Sequence, residues 1–175
     1  MKKKQKSAVS AKELEKKLAD FIVKTGLKNI KKIDFSSSEE NYLWREMIIV
    51  NVFAVIQVIR QILNNEHLEN EILENLHRDY YQGLVEQFDF TEEQIVGQFN
   101  HALSRYQDYQ EIIDDESSSD WLEKVTERMY RNLQKFNEDE PVDPEELERF
   151  GEIFSLMLKE ITGFLPDGKI ISEWE

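Results

Sequence analysis

The most apolar stretch of the chain, MIIVNVFAVIQVIRQIL at residues 47–63, carries its polar positions on one side. Turned by 100° per residue, Glu46, Gln57, Arg60, Gln61 and Asn64 fall into one narrow stripe, and the rest of the circumference is apolar. The pattern predicts a helix over residues 38–65, opened by Ser37 with Glu40 as a capping box. A helix apolar over most of its girth has to be enclosed. A membrane would do so, but a span needs about 20 apolar residues. These 17 are interrupted by Asn51, Gln57, Arg60 and Gln61. An arginine near mid-membrane costs roughly 2.5 kcal/mol or more. No transmembrane segment is therefore expected, and the other helices of the chain are expected to close around this one.

Similar start signals precede five further amphipathic segments. Ser10 with Glu13 opens a helix carrying Leu14, Leu18, Phe21 and Ile22, with Gly26 as its stop. Glu66 or His67 opens a third, with Leu68, Ile72, Leu76, Tyr80, Leu84 and Phe88 in steps of four. Thr91 with Gln94 is another capping box, before Ile95, Phe99, Ala102, Leu103, Tyr106 and Ile113 on one face. A fifth helix starts in SSSD and turns Trp121, Leu122, Val125, Met129, Leu133 and Phe136 inward. The sixth begins at Asp143 with Pro144 at its first position, and buries Leu147, Phe150, Phe154, Met157, Leu158 and Ile161 before Gly163. No comparable stretch alternates with period two, and no repeat is visible. The fold expected is all-α, an irregular bundle of about six helices around the central helix at 38–65.

One residue breaks the pattern of the central helix. Asn51 projects opposite the polar stripe, amid Trp44, Met47, Val55, Val58 and Ile62. An unpaired amide there costs roughly 1–3 kcal/mol. It is expected to hydrogen-bond internally and fix helix register, or to line a small ligand cavity.

With 175 residues, 40% of them apolar, the chain suffices for one core. A single helical domain is expected over residues 10–163, after a basic flexible tail at 1–9. Only six Gly and three Pro favour long elements over many short strands, and zero Cys excludes disulfides, thiolate metal sites and cysteine nucleophiles. The lysine-rich start lacks the apolar run of a secretory signal because KELEKK stands in its place, and a cytoplasmic location is expected. Residues 164–175 are expected to pack back on the bundle or to stay free, with Trp174 as an anchor for a partner.

The formal charge of −14 is unevenly divided. Residues 1–32 hold eleven Lys against Glu13, Glu15 and Asp20, a net of +8, and the remaining chain carries a net of −22. The basic arm, with Lys2, Lys3, Lys4 and Lys6 at its start, could meet nucleic acid, an anionic membrane surface, or the acidic body of its own or a second copy. Two acidic clusters, EIIDDESSSD and NEDEPVDPEELE, would be solvated helix junctions or a docking surface for a basic partner, with Asp114, Asp115 and Glu116 as contacts.

Catalytic signatures are lacking: there is no phosphate-cradling glycine loop, no G-x-S-x-G, no H-E-x-x-H and no G-x-G-x-x-G. Glu74 and His77 form one E-x-x-H step, whereas helical di-iron proteins need two and two further inward glutamates. Gln98 stands where a second step would need Glu before His101. No metal or cofactor is expected, with Glu74 and His77 as the nearest candidates; His67 and His101 are placed on polar faces. Tyr80, Tyr81, Tyr106 and Tyr109 are read as core and core rim. The function expected is a non-enzymatic protein-interaction module, such as an adaptor, regulatory subunit, antitoxin or immunity-type protein, acting through an acidic surface on a protein partner. The alternatives are a small-ligand or metal-binding bundle, in which Asn51, Glu74, His77 and the tyrosines converge, and a nucleic-acid-linked protein using its lysine arm or acidic mimicry. A nucleic-acid partner is not expected; a homodimer joining basic arm to acidic body is compatible with the charge pattern.

Overall fold

In a computed structural model, which describes residues 9–30, 40–63, 65–88, 90–115, 120–135, 139–164 and 170–171, the apolar stretch forms the helix around which the rest assembles. The described residues form six helices: α1 (Ala11–Ile30), α2 (Glu40–Ile62), α3 (Glu66–Phe88), α4 (Glu92–Asp114), α5 (Trp121–Gln134) and α6 (Pro144–Phe164). Two short strands, β1 (Val9–Ser10) and β2 (Ile170–Ile171), pair in parallel, with Val9 opposite Ile170. The all-α expectation holds.

From Glu46 to Ile56 every side chain of α2 is buried, as are Val58 and Ile59. Taken alone, Tyr42–Gln61 is long and apolar enough to cross a membrane, but most of it lies inside the bundle. Leu14, Leu18, Phe21 and Ile22 of α1, Leu68, Ile72 and Leu76 of α3, and Phe150, Phe154, Met157 and Ile161 of α6 belong to the same core. Each such side chain fully removed from water contributes roughly 1.5–3 kcal/mol. α4 lies along the remaining side of α2, where Phe53 stacks on Tyr106 and meets the edge of Tyr109, at centroid distances of 6.1 and 5.1 Å. At the far end of α6, Phe164 packs edge-on against Phe21 at 5.7 Å.

The helix starts follow their local chemistry. Thr91 and Gln94 form a reciprocal capping box, and Asp143 Oδ1 accepts the Glu145 N–H at 2.9 Å ahead of Pro144. α5 ends at Lys135, whose left-handed backbone (φ 57°) lets its N–H reach the carbonyls of Arg131 and Asn132. Its ammonium sits 4.2 Å from the Tyr42 ring centroid.

Three expectations are corrected. α1 runs past Gly26 to Ile30, since one interior glycine costs only about 1 kcal/mol. On α4 the buried positions are Ala102 and Tyr109, and the helical rotation leaves Phe99 and Leu103 at the margin, 40% and 39% exposed. Leu122 likewise stays 38% exposed on α5, while Val125, Met129 and Leu133 are buried. Ser37, Phe136 and the side chains of Ile62, Leu84 and Phe88 lie outside the described residues.

Asn51 has the internal partner its position demands. Its Nδ2 donates to the Ile22 carbonyl of α1 at 2.8 Å, which ties α1 to α2 at one level. Its Oδ1 is buried without a partner. One bond made and one acceptor left dry nearly offset each other, so the amide fixes register more than it stabilises. In urea denaturation, Asn51→Leu is expected to change stability by less than about 1.5 kcal/mol, whereas Asn51→Asp, which buries a charge, is expected to lose roughly 3 kcal/mol or more. A large loss for the leucine variant would mean that the amide bond stabilises the fold outright.

Candidate functional site

The polar stripe of α2 does not face water along its first half. Glu46 is 1% exposed, and both carboxylate oxygens are met from α4: His101 Nε2 donates to Oε1, and Arg105 Nε donates to Oε2 at 3.3 Å. His101 and Arg105 are one turn apart on α4, so both reach the same carboxylate. Farther along, Gln57 Nε2 donates to Gln110 Oε1 at 3.1 Å, and Gln110 Nε2 donates to Asp114 at 2.8 Å. The pairings advance together along both helices, so α4 runs parallel to α2 and meets its stripe at Glu46 and Gln57, whereas Arg60 pairs with Glu69 of α3. One turn before Glu46, the Tyr42 hydroxyl donates to the Asn132 carbonyl at 2.7 Å, and Asn132 Nδ2 donates to the Tyr109 hydroxyl at 3.1 Å. The placement of His101 on an exposed polar face is thus corrected: it hydrogen-bonds the buried Glu46 carboxylate between α2 and α4. No local signal shows this, because the complement to Glu46 lies 55 and 59 residues away.

The cluster neutralises itself. Burial alone would lower the Arg105 pKa, but the Glu46 carboxylate, with Tyr109 and Tyr42, raises it above its ordinary value, so the guanidinium stays charged. This geometry holds a charge in place and leaves neither carboxylate oxygen free. Removing one member of a buried ion pair strands the other. Arg105→Ala is therefore expected to cost roughly 3–5 kcal/mol in urea denaturation, with a smaller loss when Glu46→Leu is added to it. Additive losses would show that the two side chains do not depend on each other.

A second polar group sits in the aromatic cluster between α3 and α4. His77 Nδ1 lies 2.8 Å from the Leu73 carbonyl, which can only accept, so Nδ1 carries the proton and Nε2 presents a bare lone pair. Nε2 and the Tyr81 hydroxyl are both buried without partners. His77 stacks on Tyr81 (6.5 Å) and lies tilted against Tyr106 (5.9 Å), and Tyr81 meets Tyr80 (5.0 Å) and Phe99 (5.5 Å). Glu74, a turn from His77, is exposed, and among the described residues no three of His, Asp and Glu are grouped to hold a metal. Asn51 bonds to α1, whereas His77 faces Tyr106 of α4, so the residues named for a ligand pocket do not converge.

Burial pushes the Tyr81 pKa up to about 12 and those of Tyr80, Tyr106 and Tyr109 upward as well. It pushes His77 below 6.5, against the opposing bond to Leu73. In the unfolded chain the tyrosines ionise near pH 10.0 while the fold keeps them neutral, so their contribution is full below that pH and is lost as pH rises through the folded values. For His77 the unfolded chain protonates first; its contribution is full above pH 6.5 and is lost as pH falls through the folded value. Phenolate absorbance is expected to rise only as helical circular dichroism is lost, and His77→Phe to flatten the fall in stability below pH 6.5. Tyrosines that all titrate reversibly with helicity intact would contradict this.

A separate concavity lies between α5 and the first half of α6. It is a cleft of about 640 Å³ lined by Asp120, Leu122, Glu123, Thr126, Pro144, Leu147, Glu148, Gly151 and Ser155. Asp120 closes the first acidic cluster of the sequence, and Pro144 and Glu148 belong to the second. The last residue of the first cluster and the end of the second, separated in the chain by 16 residues between Asp120 and Asn137, thus border one cleft. A smaller hollow of about 340 Å³ on the other flank of α5 is lined by Ile112, Lys124, Glu127, Arg128 and Arg131. Of the partner-contact residues expected from sequence, Asp114 and Asp115 are exposed at the end of α4, and Asp114 accepts from Gln110. Lys2, Lys3, Lys4, Lys6, Glu116 and Trp174 lie outside the described residues.

Compared with protein-family models, with curated proteins and with solved structures, the chain matches none.

Proposed function

We propose that this chain is a non-enzymatic protein-interaction module that presents an acidic helical surface to a basic protein partner. The observation that carries it is the gathering of three carboxylates at the α5–α6 cleft, where Asp120, Glu123 and Glu148 are all exposed. Carboxylates gathered at the mouth of a concavity focus a negative potential and raise the local concentration of a cationic partner. The Glu46 carboxylate, held by His101 and ion-paired with Arg105, is absorbed in holding α4 to α2, which leaves the surface charge as the feature turned outward. One observation favours a small-ligand bundle as the second choice: the unpartnered His77 Nε2 and Tyr81 hydroxyl offer one acceptor and one donor inside an aromatic cluster.

The test is the binding of a labelled oligolysine peptide and of duplex DNA to the full chain from low to physiological salt. The peptide is expected to bind with an affinity that falls as salt rises, and the duplex to bind no more than weakly. Failure of the peptide to bind at low salt would remove the proposal. Duplex binding with a steep salt slope, flattened by deleting residues 1–9, would favour the nucleic-acid alternative.

A further inference from the structure

We infer that the cleft between α5 and α6 is a docking groove for a basic amphipathic helix of a partner protein; this rests on the acidic-surface proposal and gives it a place and a shape. The groove has two chemically distinct parts. Its apolar part comprises Leu122, Pro144 and Leu147, and its carboxylates are Asp120, Glu123 and Glu148, with no cation among the lining residues. Leu122 is left open on a helix whose other large aliphatic side chains are buried. Lys124, Arg128 and Arg131 line the opposite flank of α5, so a cation approaching the groove meets one sign of charge.

The shape favours a helix. On α6 the lining residues Pro144, Leu147, Glu148, Gly151 and Ser155 recur at spacings of three and four, which draws a straight stripe along one face. From Pro144 to Ser155 that stripe is about 16 Å long at 1.5 Å per residue, enough for three turns of a partner helix. Gly151 and Ser155 keep the stripe shallow, so a second helix can approach closely there. An extended peptide would gain little, since a helix surface offers no free strand edge to pair with its backbone. The occupant therefore carries aliphatic side chains at i, i+3 or i+4 and i+7, flanked by Lys or Arg. The carboxylates alone would attract any cation; the apolar floor adds the demand for amphipathicity.

Two labelled Leu/Lys peptides of identical composition test this on the full chain: one has its leucines at helical spacing, the other alternates Leu and Lys. The helical peptide is expected to bind at least about tenfold more tightly than its isomer, a difference of one well-placed apolar anchor. Gly151→Leu fills the groove without changing charge. A Cβ at that position meets only the Thr126 methyl at 3.6 Å, an ordinary contact, and leucine is the better helix former. This variant and the double reversal Glu123→Lys/Glu148→Lys are each expected to weaken the helical peptide at least about tenfold. Glu86→Lys, exposed on α3 and outside both acidic clusters and the groove, serves as the control and should weaken it less than about threefold. If Gly151→Leu loses helical circular dichroism, the double reversal at two exposed positions decides. Equal binding of the two isomers, or groove variants no worse than the control, overturns the docking groove while salt-sensitive binding still upholds an acidic interaction surface. No salt-sensitive binding of either peptide removes both.

Discussion

A helix that is apolar on nearly every side and charged on the remaining line sets two conditions at once. Its apolar girth has to be covered, and whatever covers the charged line has to bring complementary polar groups. α1, α5 and α6 meet the first condition with aliphatic and aromatic side chains. α4 meets the second with His101, Arg105 and Gln110, set at the levels of Glu46 and Gln57. The ring contacts of Phe53 with Tyr106 and Tyr109 fill the space between those polar pairs. A carboxylate buried without them would cost several kcal/mol, so the position of α4 is fixed more sharply than apolar packing alone would fix it. Asn51 has the corresponding effect on the opposite side, where its bond to Ile22 sets the level of α1.

The division of labour between polar groups follows from this. Inside the bundle, charge and amide groups are consumed in positioning: Glu46 by two donors, Asn132 by Tyr42 and Tyr109, Gln57 by Gln110. Outside, three carboxylates, Asp120, Glu123 and Glu148, border the α5–α6 cleft. A buried charge that already has its partners cannot readily act on a substrate, whereas an exposed one-signed rim acts at a distance. That contrast is the physical ground for proposing recognition rather than catalysis.

The fold was largely legible because its signals are local. Thr91 with Gln94, and Asp143 with Pro144, start helices through atoms within four residues of each other, and the spacing of Leu14, Leu18, Phe21 and Ile22 marks a buried face by period alone. The site was legible only in part. The two acidic clusters could be read as charged, but the meeting of their ends at one cleft depends on α5 and α6 packing side by side. His101 looked like a solvated histidine, since the α4 pattern holds no carboxylate for it; that carboxylate is on α2. Phe99, Leu103 and Leu122 looked buried because periodicity gives the direction of an apolar face and not how much of it a neighbour covers.

What the sequence determined by itself is the helical class, the central place of residues 47–63 and the split between a basic start and an acidic remainder. Each of these rests on spacing, composition or capping chemistry that acts within a few turns. Tertiary structure alone decided that α4 runs parallel to α2, that Glu46 is a buried anchor rather than a surface charge, and that Asp120, Glu123 and Glu148 border one cleft. The reason is range: helix periodicity orients a side chain about its own axis, but which helix it then faces, and at what level, is set by packing between segments tens of residues apart.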